Sequence, residues 1–235
     1  MLYRLRDGQS TISDWELLMT RIPENIPKSE RGKFSDAINI LTIWEEVDRI
    51  NLNKLRSINQ PVAKIHAIHT GGSEASRADS NTAKGLEAEL LLSRNARVML
   101  IANIWISAGL INGAMGTITD ILFKEKPKYT FLPAVILVSF NKYNGLTLTN
   151  IDGIKVVPIV SIRYMWEGST GICSRLQVPL SLAWAITAHK SQGLTLPKAV
   201  INLGKKEACR LCQFLVFVLL MIFFSSTLTL TDLNV

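Results

Sequence analysis

Cysteine is scarce in this 235-residue chain: there are 3, an odd number, and no apolar signal segment opens the sequence. That combination excludes a disulfide-stapled secreted domain and points to a reducing intracellular compartment. Charge nearly vanishes at the other end, where Asp232 is the one charged residue beyond Arg210. Long apolar runs are missing too. The longest, Phe214 to Phe224, is followed by Ser225-Ser226-Thr227 and falls short of the roughly 20 residues that cross a bilayer. The length allows one large domain or two small ones, too little for a complete multi-domain motor.

What is present is a globular composition. Hydrophobic residues make up 48% and charged residues 19%, enough for a real core, which excludes disorder as the overall description. Up to Arg210 the chain carries 26 basic and 18 acidic side chains, a balance of +8. With a pI near 9.4, this fits a polyanion such as nucleic acid and equally well a merely soluble basic domain. The mean hydropathy of +0.22 is raised by the apolar run. Lys205, Lys206 and Arg210 form a positive flank ahead of it, so a membrane anchor through 211–230 stands as the less favoured reading.

Local signals order the chain. Ser13 and Glu16 are spaced as a capping box for a short helix that Pro23 stops. Thr42 to Glu45 open a second helix with Trp44, Val47, Leu55 and Ile58 on one face, ended by Pro61. Between them the short apolar segment of Phe34, Ala37, Ile38 and Ile40-Leu41 predicts a buried strand. Residues 69–83, low in apolar side chains and rich in Gly, Ser and Asn, predict a surface loop. Strands are predicted at Arg97–Ile101, Thr117–Ile121, Ala134–Phe140 and Val156–Val160, with turns at Asn112-Gly113, Gly116 and Asn144-Gly145, the spacing of a small barrel or curled sheet. Leu180 to His189 predicts an apolar helix capped at Gly193, and Ala199–Leu203 a further strand. The five tryptophans, Trp15, Trp44, Trp105, Trp166 and Trp184, read as core anchors, with Trp105 or Trp166 the candidates for exposure. The pattern is an α/β domain interrupted by a smaller β domain.

Chemistry concentrates in Ala185-Ile-Thr-Ala-His-Lys-Ser-Gln-Gly193, where hydroxyl, imidazole, ammonium and carboxamide groups crowd the end of an apolar segment. Burying such a cluster unpaired is costly. A polar helix end facing solvent and a set of ligand contacts both fit it. The run Pro179 to Leu196, followed by a strand ending Leu203-Gly204, closely resembles motif V of the Pif-type (petite integration frequency) ATP-dependent DNA helicases, including those of Helitron transposons. Other segments resemble the same family in order: Leu5-Arg-Asp-Gly8 with Asp14-Trp15 and Leu17-Leu18; Thr42 to Asn51, similar to motif IV; Val98 to Asn103 with Gly109 to Gly113 and Gly116; Phe140, Tyr143 and Gly145; then Arg175, Gln177, Pro179 and Leu180. The resemblance covers residues 2 to 208.

The resemblance implies a second RecA-like helicase domain, incomplete and interrupted by a small Src-homology-3-like β-barrel. Its parts would be 1–104, the barrel at 105–165, a return to the RecA-like domain at 166–208, and an atypical apolar tail at 209–235. It also implies five-prime to three-prime unwinding of DNA, roles in repair, recombination and telomere maintenance, and a nuclear or mitochondrial location. By the same analogy Thr187 and His189 contact the backbone of single-stranded DNA, Lys190 adds a sequence-blind charge, and Gln192 and Gly193 lie towards the nucleotide cleft. Hydroxyl, imidazole and ammonium groups reach phosphates without reading bases, as stepping along any sequence requires.

Two departures set limits on activity. The G-x-x-x-x-G-K-[ST] phosphate loop is absent from the sequence, as is an adjacent Asp-Glu pair. Where the family continues into motif VI with a Ser-Arg pair, this chain has Cys209-Arg210-Leu211-Cys212 and then the apolar run, an abrupt change that an altered frame or retained intron would explain. ATP and Mg2+ therefore belong to the intact family, with tight binding to this chain alone not expected. The expectation is a C-terminal fragment that binds single-stranded DNA weakly, with the missing ATP-binding half as a further partner; a membrane-anchored or inactive remnant is the alternative. No zinc site is expected, since Cys209 and Cys212 lack two further ligands and His66 and His69 have no partner in view.

Overall fold

The computed structural model describes residues 3–4, 7–124, 132–146, 149–151, 153–169, 171–192, 194, 196, 198–202 and 228–231. In chain order these form helices α1 (Ile12–Met19) and α2 (Lys28–Arg31), strand β1 (Ile38–Leu41), helix α3 (Trp44–Ser57), strands β2 (Val62–His66) and β3 (Ile68–Thr70), and helix α4 (Gly72–Arg77). Strands β4 (Glu89–Ser93), β5 (Arg97–Leu100), β6 (Met115–Leu122), β7 (Val135–Phe140), β8 (Thr149–Ile151) and β9 (Ile154–Ile159) follow. The chain continues through β10 (Ile162–Gly168), β11 (Gly171–Gln177), β12 (Leu180–Leu182), β13 (Ala185–Thr187), helix α5 (Ala188–Ser191), β14 (Ala199–Asn202) and β15 (Leu228–Thr231). Two compact units result, one from Met1–Asn53 with Trp184–Val235 and the other from Lys54–Ala183.

The first unit is built on a parallel sheet in the order β13-β1-β14-β15. Ile38, Ile40, Leu41, Ala185, Ile186, Ala199 and Ile201 are all buried in it. Buried parallel strands are rich in apolar residues, and β1, β13 and β14 are so apart from Asn39, Thr187 and Asn202. Val47 and Ile50 of α3 pack on Leu41 and Ala185. Leu180 to His189, expected as one apolar helix, is instead two short strands and the single turn α5. A short run that is apolar on every side fits a buried strand as well as a buried helix, and here pairing with β1 decides. The α1 cap also moves: Thr11, not Ser13, is the N-cap, and its capping-box partner is Asp14. Asp14 is buried and takes a two-pronged contact from Arg4 at 2.9 and 2.6 Å, which Glu16 does not offer. That contact, with the Thr11 N–H, pulls the Asp14 carboxyl well below the usual carboxylate range.

The second unit is antiparallel throughout. Its six-stranded sheet runs β12-β5-β6-β7-β9-β8, beside a three-stranded sheet β10-β11-β3 and a β2-β4 pair. Strict alternation on β7 buries Ile136, Val138 and Phe140. Gly116, expected at a turn, lies inside β6: a Cβ there would stand 2.6 Å from the Ser139 carbonyl, so glycine permits the close strand approach. The predicted loop at 69–83 holds the end of β3 and all of α4, with Ala75 and Ala83 fully buried. The order comes from Arg175 on β11, which is 0% exposed. Its guanidinium donates to the carbonyls of Leu86 (2.8 Å), Ala78 (2.6 Å) and Ala75 (3.3 Å) and to Nδ1 of His69 (3.4 Å).

None of the five tryptophans is a core anchor. Trp15, Trp44 and Trp105 are exposed and Trp166 and Trp184 half-buried; Trp166 covers the Ala83, Leu86, Ile101 cluster from one side. The apolar run Phe214 to Phe224, with Cys209 and Cys212, lies outside the described residues. Of the expected tail, Leu228–Thr231 pairs in parallel with β14. Among the described residues no helix is long and apolar enough to cross a membrane.

Candidate nucleic-acid interface

The first unit brings the motif residues to the carboxyl end of its parallel sheet. Leu41 of β1 stands opposite Thr187 of β13, so the two strands end side by side. In open α/β sheets that end is where ligands bind. The chain leaves β1 through Thr42 and Ile43 to Trp44, the first residue of α3, and leaves β13 directly into α5.

β13 lies at the edge of the sheet, so its outer backbone groups need other partners. Asn51 of α3 supplies them. Its Oδ1 accepts the N–H groups of Trp184 (3.1 Å) and Ala185 (2.9 Å), and its Nδ2 donates to the Ala185 carbonyl (3.0 Å). Asn51 is 5% exposed, and its backbone partners fix which atom is oxygen. On the inner side Asn39 reinforces the strand, its Nδ2 donating to the Trp184 carbonyl at 3.1 Å. The short strand that carries Thr187 is thus held from both sides.

Thr187 is 2% exposed and its hydroxyl has no hydrogen-bond partner among the described residues. It is the N-cap of α5 by position but its side chain makes no capping bond. A buried hydroxyl left unpaired is costly, and at a sheet's carboxyl end a ligand atom is a natural partner. Two residues on, His189 is exposed. Lys190 is half-buried, its Nζ 4.7 Å from the centroid of the Trp44 ring. Asp48, one turn further along α3, is pushed up in pKa by desolvation, against the pull of the Lys190 ammonium. Ser191 is occupied internally, donating to the Ala188 carbonyl at 2.7 Å.

Of the five predicted site residues, Thr187, His189 and Lys190 thus share one short segment, Gln192 is exposed just beyond it, and Gly193 lies outside the described residues. Sequence reasoning missed Asn51 and misjudged Trp44. The available signal for Asn51 was a carboxamide on the apolar face that Val47, Ile50 and Leu55 define at helical spacing. The remaining histidines are engaged elsewhere: His66 faces Glu89 at 3.6 Å and His69 accepts from Arg175. Among the described residues no three His, Cys, Asp or Glu side chains are grouped to hold a metal.

No family model matches the chain. ATP-dependent DNA helicase PIF1 of Homo sapiens is 30% identical over 174 residues, 72% of this chain and 24% of that protein. The protein of the same name from Xenopus laevis is 32% identical over 177 residues, with the same shares. A solved structure of Pif1 helicases, described as unwinding forked double-stranded DNA in coordinating pairs, matches with a TM-score of 0.65 at 26% identity, covering 100% of this chain and 46% of that one. The α/β fold is therefore that of a RecA-like helicase domain. By sequence the chain belongs to the Pif1 DNA helicase family. It spans about a quarter of the length of the curated relatives it matches.

Proposed function

We propose that the chain is the second RecA-like domain of a Pif1-type helicase and binds single-stranded DNA through Thr187, His189 and Lys190. The observation that carries this reading is the buried, unpartnered Thr187 hydroxyl, held at the carboxyl end of the parallel sheet beside an exposed imidazole and an ammonium. Such groups suit phosphate oxygens and carry no base preference. Residues 105–165, which contain β6 to β9, are the inserted Src-homology-3-like barrel in this reading. Gln192 and Gly193 are its contacts towards ATP. The phosphate cradle and the magnesium-holding carboxylate are not among the described residues, and the expected activity of the 235-residue chain is DNA binding without ATP hydrolysis. In the cell it would act on DNA in the nucleus or the mitochondrion, in repair, recombination or telomere maintenance.

The test is titration of a labelled single-stranded oligonucleotide with the full chain at rising salt. Each phosphate contact releases counterions, so the logarithm of affinity falls linearly with the logarithm of salt, with a slope near −0.7 per contact for single strands. The reading predicts that a Thr187→Ala, His189→Ala, Lys190→Ala triple variant binds more weakly and with a shallower slope. Binding that ignores salt, or a triple variant that matches the parent, refutes it.

A further inference from the structure

We propose that Trp44 is a stacking platform for one unpaired base, set beside the backbone contacts of Thr187, His189 and Lys190. This rests on the single-stranded DNA reading above and adds to it a residue outside the motif-V segment. Trp44 is 43% exposed although it follows the buried β1 and precedes the buried Val47. Leu41 and Thr187 are register partners; Trp44 lies three residues beyond the first and Lys190 three beyond the second. The contact of Lys190 on the indole therefore joins the two strand exits. An aromatic face and a cation side by side are the two elements that single-stranded nucleic acid sites combine, one for bases and one for phosphates.

Charge orients the strand. Trp44 is followed on α3 by three carboxylates, Glu45, Glu46 and Asp48. These repel a phosphate backbone, so a strand at this edge turns its phosphates towards His189 and Lys190 and its bases towards the indole. In the free protein the ammonium rests against the ring, an interaction that is weak near solvent. A phosphate oxygen is the stronger partner for an ammonium. Binding would draw Lys190 from the ring to the backbone and release the indole face to a base.

The experiment compares two fluorescein-labelled oligonucleotides of roughly 12 nucleotides, within the usual site size: oligothymidine and a strand of the same backbone with abasic sites throughout. The full chain, Trp44→Leu, Trp44→Phe and the triple variant are titrated by anisotropy, with circular dichroism confirming that each is folded. Leucine keeps apolar bulk and removes the aromatic face; phenylalanine keeps a face. Stacking predicts that Trp44→Leu weakens oligothymidine binding on the order of ten- to a hundredfold and leaves the abasic strand within twofold, while Trp44→Phe retains most of the affinity. If Trp44→Leu leaves oligothymidine unchanged, or weakens both strands equally, the platform is overturned. If Trp44→Leu is neutral while the triple variant loses both strands, the platform fails and the backbone reading stands. If the triple variant loses neither, or the parent binds neither, both fail.

Discussion

Replacing Asn51 by aspartate exchanges one side-chain NH2 group for an oxygen and abolishes one hydrogen bond with almost no change in shape, which separates the role of this side chain from packing. The introduced carboxyl still accepts the N–H groups of Trp184 and Ala185 but faces the Ala185 carbonyl, 3.0 Å from the present Nδ2, with an acceptor. One net hydrogen bond, about 1 kcal/mol, is lost, and an orphaned buried carbonyl adds about 1–3 kcal/mol. The expected loss at neutral pH is roughly 2–4 kcal/mol, a sizeable part of a domain's usual 5–15 kcal/mol. Protonation restores a donor, so the folded state holds the proton more tightly than the unfolded chain, in which a carboxyl titrates near 3.9. A raised folded pKa means that the penalty is full above that pKa and fades as pH falls towards 4. Urea unfolding of parent and variant at pH 7.5 and 4.5 measures both points. A difference below about 0.5 kcal/mol at pH 7.5, outside the range estimated from these bonds, or one that widens on acidification, would refute the argument.

Two further outcomes follow from Arg175. Arg175→Met keeps an apolar stem but leaves the buried carbonyls of Leu86 and Ala75 and the half-buried carbonyl of Ala78 without their donor; each orphaned buried acceptor costs about 1–3 kcal/mol, so the two buried ones alone predict a loss of roughly 2–6 kcal/mol, and protease nicking between Thr70 and Leu86 should become the first cleavage. Equal stability and unchanged cleavage sites would show that the segment orders without the guanidinium. His69 is held below its ordinary pKa by burial first and the Arg175 charge second, against a hydrogen bond to the Ala75 backbone. The unfolded chain takes up that proton first, so stability should fall as pH drops below about 6.5, and a His69→Gln variant should lose this dependence in thermal melts at pH 7.5 and 5.5. Parallel losses in parent and variant would assign the effect to other groups.

These residues also show what the sequence alone could convey. β1, β5, β6, β7, β9 and β14 were legible because apolar and β-branched runs bounded by turn residues have few other uses. β11 was not, because the buried Ser174, Arg175 and Gln177 make the strand read as polar. Their partners lie about a hundred residues away on β3, α4 and the 78–87 segment, beyond any local pattern. A comparable distance hid Asn51, whose partners Trp184 and Ala185 are 133 and 134 positions on. Thr187, His189 and Lys190 were legible as a polar cluster in an apolar setting. That Thr187 is buried and Lys190 rests on Trp44 required the fold.

Photocrosslinking locates the bound strand most directly. A single-stranded oligonucleotide carrying photoreactive bases is crosslinked to the full chain, and the modified tryptic peptides are identified by mass spectrometry. The account predicts adducts on the peptides Leu176–Lys190 and Phe34–Arg49, which contain the β13 and β1 exits. Adducts confined to residues 54–175, or to the segment beyond Arg210, would contradict it.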